Sequence, residues 1–125
     1  MKRLIWVGKS YEDLREFPPD VRHAMGYALY AAQIGKMHEH AKVLSGMGNA
    51  KVIEIGENDR RGTYRIIYTI EMKDFIFVLH AFQKKSTRGT KTPQREIDTI
   101  SSRLEAAADD YRRRYGARKR KKGNN

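Results

Sequence analysis

Five cations without a single acid among them stand at one place in this chain. Between Phe75 and Arg95, residues Lys84, Lys85, Arg88, Lys91 and Arg95 occur with no Asp or Glu. Lys84 and Lys85 follow directly on FIFVLHAFQ, an uncharged aromatic run fit for the middle of a sheet. Arg65 lies in the run before it, and Arg60 and Arg61 in the turn NDRRG. Arginine forks onto phosphate oxygens and lysine supplies a point charge, so this pattern suits contact with a nucleic-acid backbone. Tyr64 and Phe82 add rings that would stack on bases if exposed. His80 titrates in the range useful for catalysis, although on the Val78/Phe82 side of its strand it also suits a half-buried structural role. His38 and His40 alternate in a loop with no third ligand, and the chain has no Cys, so no metal site is expected.

These side chains need elements to hold them. Lys2 to Val7 is a first strand. Ser10 is the predicted cap of a short helix ending near Phe17, and Pro18-Pro19 opens a second. There Val21, Ala24, Met25, Ala28, Leu29 and Ala32 form one apolar face, with Gly35 as its stop. Residues 36–50 lack periodicity and are expected as a loop. Three strands follow, Lys51–Glu57, Thr63–Ile70 and Phe75–Gln83, joined by short links that favour an antiparallel meander. Thr92 is expected to cap a last helix, with Ile97, Ile100, Leu104 and Tyr111 on its buried stripe. The order β-α-α-β-β-β-α gives an α+β domain: an N-terminal strand and helix hairpin, an antiparallel curved sheet of about four strands, and a C-terminal helix. The helices are expected on one sheet face, leaving the face of Arg65 open.

The 125 residues suffice for one domain with a modest core. Of the formal charge of +11, most belongs to residues 112–125, which hold eight of the 26 basic residues and none of the 15 acids. The expected division is therefore a domain over 1–111 and a basic, disordered tail over 112–125. No apolar run approaches the roughly 18–20 residues of a membrane span, and Leu4 to Val7 is too short for a signal core. A cytoplasmic, soluble protein without membrane contact is the expectation.

Three stretches carry a resemblance: LSGMGNAKVIEI, GTYRIIYTI and FVLHAFQKKSTRGTKTPQREIDTISSRL. From about Trp6 to Leu104 the chain resembles the phage-derived, HigB-like branch of the RelE/ParE superfamily, toxins of type II toxin–antitoxin modules. The resemblance implies the fold derived above and a ribosome-dependent mRNA endoribonuclease, an mRNA interferase that inhibits translation without a cofactor. It also implies as partners the ribosome, mRNA and a cognate antitoxin of helix-turn-helix type, forming a hetero-oligomer. Arg65 matches the family's arginine at the scissile phosphate, and Lys84 its basic residue after the last strand. Val52 and Glu54 stand where RelE-like sequences carry two lysines. The C-terminal tyrosine of some members has a counterpart here only if Tyr111 or Tyr115 folds back.

RNA cleavage by attack of the 2′-OH on phosphorus needs a proton acceptor, stabilisation of the phosphorane and protonation of the 5′-oxygen. Arg65 and Lys84 are assigned to stabilisation, Lys85 to backbone placement or leaving-group protonation, and Glu54 or His80 to the base. Lys51, Arg60, Arg61, Tyr64, Arg88 and Lys91 complete the expected RNA contacts. Two alternatives are a ParE-like gyrase inhibitor and a non-catalytic RNA-binding module acting through its tail.

Overall fold

In the computed structural model, which describes residues 1–84 and 91–116, five strands form one sheet. The elements are β1 (Arg3–Trp6), α1 (Ser10–Arg15), α2 (Pro19–Gln33), β2 (Ala41–Val43), β3 (Val52–Asp59), β4 (Gly62–Thr69), β5 (Phe75–Lys84) and α3 (Gln94–Tyr111). Spatial order is β1-β5-β4-β3-β2. β1 runs parallel to β5, and the other neighbours are antiparallel. The α+β class is as expected. The fifth strand is β2, inside the segment expected as a loop; it pairs Ala41, Lys42 and Val43 with Ile55, Glu54 and Ile53.

The helices do not share one face. Residues of α1 and α2 (Leu14, Val21, Met25, Ala28, Leu29) pack with Ile53, Ile55, Tyr64, Ile66, Tyr68 and Val78. On the opposite face, Ile100 and Ala107 of α3 pack with Val52, Ile67, Phe77, Leu79 and Phe82. The physical reason lies in β3 and β5, whose side chains are buried in both directions, so an apolar surface on each face demands a cover. Arg65 therefore points to a face that α3 partly covers.

The helical path does not stop at Tyr111. Arg112–Gly116 continues as a π-helical turn, which brings the Tyr115 ring 4.7 Å from Phe75. The boundary expected after Tyr111 thus falls within a continuous helical segment. Residues 117–125, the rest of the expected tail, lie outside the described residues.

A break in the register of β5 bears on the site. Ile67 pairs with His80 but Tyr68 pairs with Val78, which leaves Leu79 as an extra, unpaired residue. Strict alternation from Phe75 and Phe77 would turn Lys84 toward α1 and α2. The one-residue slip turns His80, Phe82 and Lys84 to the α3 face instead. Its unpaired carbonyl is not left empty: Arg103 Nη1 donates to Leu79 O at 2.9 Å.

A candidate nucleic-acid interface

Register places the two principal cations together. Arg65 faces Phe82 and Thr63 faces Lys84 across the β4–β5 ladder, so Arg65 and Lys84 are diagonal neighbours on one face. Such neighbours lie about 7–8 Å apart at the backbone, within reach of long side chains. Arg65 also faces Gly56 of β3, and Glu54 lies two residues along on the same face.

Glu54 is the hub of this patch. It is 1 % exposed, its Oε1 lies 3.2 Å from Arg65 Nη1 and 3.6 Å from Lys42 Nζ, and its Oε2 accepts a 3.0 Å hydrogen bond from Thr92 Oγ1. Among the described residues nothing donates to Oε1 in hydrogen-bond alignment, so charge alone holds that oxygen. A carboxylate so enclosed cannot reach a 2′-OH, and Glu54 is not placed to be the general base. Gly56 shapes the other side of the pair: a Cβ there would stand 2.2 Å from Arg65 Nη1. The missing side chain is what lets the guanidinium lie flat toward Glu54. The Arg65 side chain keeps 13 % exposure.

His80 forms a second hub on the same face. Its Nδ1 lies 3.1 Å from Arg103 Nη1, and its Nε2 lies 3.1 Å from Glu96 Oε2. Arginine can only donate, so Nδ1 accepts, and the ring proton sits on Nε2 facing the carboxylate. Burial pushes the His80 pKa below its usual value; the Arg103 charge adds to this, and the Glu96 charge opposes it. With its lone pair turned to Arg103, the neutral ring has no free basic nitrogen, so it too is poorly placed as a base. The ring stacks on Phe82 at 4.9 Å. Beside it opens a cleft of about 480 Å³ between α1 and the start of α3, lined by Asp13, Glu16, Arg95 and Glu96 among others. Its carboxylates repel phosphate.

The other expected residues divide by place. Arg60 and Arg61 form the β3–β4 turn at the same end of the sheet as Lys84, with Gln83 Nε2 donating to Arg61 O at 2.8 Å. Arg61 is engaged by Asp59 (Nε to Oδ2, 2.9 Å) and by Asp20 at 3.2 Å, whereas Arg60 is exposed. Lys91 is exposed, and its carbonyl accepts from Lys84 Nζ at 2.9 Å. Lys51 is at the far end of β3, about five residues or roughly 17 Å from the Arg65 pairing, and does not join the patch. Tyr64 points to the helix face, is 4 % exposed and packs on Phe17 at 5.0 Å, so its ring offers no stacking platform. Tyr115 folds back onto Phe75 at the start of β5, also at the far end. Lys85 and Arg88 lie outside the described residues.

Four contributors were not singled out from sequence for these roles: Lys42, Thr92, Gly56 and Arg103. The alternation Ala41-Lys42-Val43-Leu44 was the available signal for β2 and hence for Lys42. Among the described residues no group of three His, Cys, Asp or Glu side chains is placed to hold a metal, and no helix is long and apolar enough to cross a membrane. What remains is a set of cations on one face: Lys42 and Arg65 on the buried Glu54 carboxylate, and Lys84 diagonal to Arg65 with its amine on the Lys91 carbonyl. It can hold phosphates by charge and offers no ready proton acceptor.

The α+β architecture, with helices on both faces of one five-stranded mixed sheet, defines the fold class, and sequence and structure comparisons give the family and the fold. Residues 12–105 match the family described as Phage derived protein Gp49-like (DUF891), and the chain belongs to that family. In fold it is similar to the isolated E. coli RelE toxin (TM-score 0.52, 20 % identity, covering 70 % of this chain and 89 % of that one). It is equally similar to a chain of the intact E. coli RelBE toxin–antitoxin complex (TM-score 0.52, 21 % identity, covering 69 % and 100 %). No curated protein sequence gives a significant match.

Proposed function

We propose that this chain is the toxin of a type II toxin–antitoxin module of the HigB-like branch, and that it cleaves mRNA on the ribosome. The observation that carries this reading is the placement of Arg65 and Lys84 as diagonal neighbours on one face, with Lys42 sharing the carboxylate that Arg65 meets. The Gp49-like family and the RelE fold support it. In this reading the 2′-oxygen of the RNA attacks the adjacent phosphorus and the P–O5′ bond breaks. The products are a 2′,3′-cyclic phosphate and a 5′-hydroxyl; the 2′ proton leaves to solvent and the 5′-oxygen takes one from it. Arg65 and Lys84 stabilise the added charge on the phosphorane. Catalysis is then electrostatic, since Glu54 is enclosed away from the RNA and His80 turns its lone pair to Arg103.

The partners follow the same reading: a cognate antitoxin of helix-turn-helix type in a hetero-oligomer, as RelE is paired in the RelBE complex, and translating ribosomes in the cytoplasm. The test is induction in cells with mapping of mRNA 5′ ends, wild type beside Arg65→Ala. Losing one donor to the developing oxyanion slows such reactions about 10²–10³-fold, so new ends should be abundant in wild type and nearly absent in the variant. Double-strand DNA breaks without mRNA cuts would overturn the reading in favour of a gyrase inhibitor.

A further inference from the structure

Glu54 is sealed from solvent, yet it touches the one arginine that the proposed reaction needs. We propose that Glu54 and Thr92 are positioning residues that set the pose of Arg65; this rests on the reading that Arg65 binds the scissile phosphate.

Arginine has a long, rotamer-rich side chain, and a strand fixes only its Cα. Two neighbours define the pose here. Gly56 leaves a flat gap on the facing strand, and Glu54 supplies the charge at the end of it. A carboxylate can rotate, so something must fix its plane. Thr92 Oγ1 does so by donating to Oε2, which leaves Oε1 toward Arg65. One carboxylate oxygen approaches one guanidinium nitrogen, and among the described residues no second acceptor engages the fork, whose exposed edge is the part a ligand can reach. Thr92 follows Lys91, whose carbonyl accepts from Lys84. The contacts Lys84–Lys91, Thr92–Glu54 and Glu54–Arg65 thus run in series and tie both cations to one short segment.

Threonine variants separate positioning from bulk stability. Thr92→Val keeps the volume and removes the hydroxyl, whereas Thr92→Ser keeps the hydroxyl. Turnover on programmed ribosomes is measured with melting curves of the same samples. Partners that orient a functional group typically account for about 10–100-fold in activity. Thr92→Val should lose that factor in kcat with KM unchanged, and Thr92→Ser should recover most of it. A Thr92→Val enzyme as fast as wild type, or a Thr92→Ser enzyme as slow as Thr92→Val, overturns the proposal. A second readout does not depend on cleavage: the Arg65 Nε–H resonance should exchange slowly in wild type and Thr92→Ser, and broaden in Thr92→Val. If wild type cuts no mRNA, the endonuclease reading fails. The resonance then decides positioning by itself: broadening in Thr92→Val supports it, and an unchanged signal overturns it.

Discussion

Arg65 and Arg103 are placed in similar ways and used differently. Each lies against a glycine: a Cβ on Gly56 would stand 2.2 Å from Arg65 Nη1, and one on Gly8 would stand 2.8 Å from Arg103 Nε. Each reaches a polar hub on the α3 face. Arg65 meets a carboxylate, and what is held in place is the arginine itself, with an edge left to solvent. Arg103 meets the Leu79 carbonyl and the His80 ring, and what is held in place is the bulge of β5. That bulge turns Lys84 onto the face of Arg65. One hub therefore sets the cation proposed to bind phosphate directly, and the other sets its neighbour through the backbone. An arginine is read as ligand-facing or structural from what its partners still need, not from its type.

Removing the hub of the first cluster should have the largest effect. Glu54→Ala leaves the Arg65 guanidinium mostly buried beside Lys42 with no anion between them, and breaking such a pair from one side costs about 3–5 kcal/mol. Because Arg65 keeps some exposure, the loss should fall near the lower end, read as a shifted urea midpoint at unchanged slope.

The two glycines should then part company. Gly56→Ala pushes the far end of a flexible side chain but parts Arg65 from the buried Glu54, which keeps Lys42, so it should melt below wild type by less than Glu54→Ala does. The guanidinium, however, must leave its pose, and displacement of a positioning group by 1 Å can cost on the order of 10²-fold in rate. Gly8 has φ +58, so Gly8→Ala adds left-handed strain of about 1–2 kcal/mol to the crowding of Arg103. That variant should melt lower while its folded fraction still cleaves. Equal losses of activity at equal stability in both variants would erase the distinction between the arginines.

Much of the framework was legible because it is periodic. The apolar face of α2 appears as read, with Val21, Met25, Ala28, Leu29 and Ala32 buried. The failures were at long-range polar bonds. Ser10 and Thr92 carry the local signature of helix caps, but Ser10 Oγ donates to Val78 O and Thr92 Oγ1 to Glu54, across 68 and 38 residues of chain. A capping pattern reports what a hydroxyl could do nearby and cannot show a better acceptor brought in by the fold. The Leu79 bulge was equally hidden, since FIFVLHAFQ contains no glycine to mark it. Arg65 was found because a cation on a half-polar strand face is visible. The enclosure of its counter-ion Glu54, one of the two base candidates, was not visible, because burial is not written in the residue type.

The smallest expected effect comes from two histidine–glutamate pairs with opposite signs. His40 Nδ1 lies 2.7 Å from Glu57 Oε1 on the surface, and that bond raises the His40 pKa. His80 is buried beside Glu96 and Arg103, and its pKa is lowered. A lowered histidine is neutral in the fold and takes its proton more readily when unfolded, so stability is lost as pH falls below about 6.5 toward the folded value. A raised histidine does the reverse: its contribution is present below about 6.5 and fades as pH rises through the folded value. His40 is fully exposed to screening, and surface pairs contribute little, so His80 should dominate. The melting temperature of the wild-type protein should therefore fall modestly from pH 7 to pH 5.5. His80→Gln should flatten that slope, while His40→Gln should leave it the same or slightly steeper. Raising the salt should erase the His40 difference first, because it is the exposed pair that ions screen. If the His80→Gln and wild-type slopes superimpose, the imidazole between Glu96 and Arg103 is not the neutral, buried group that its surroundings require.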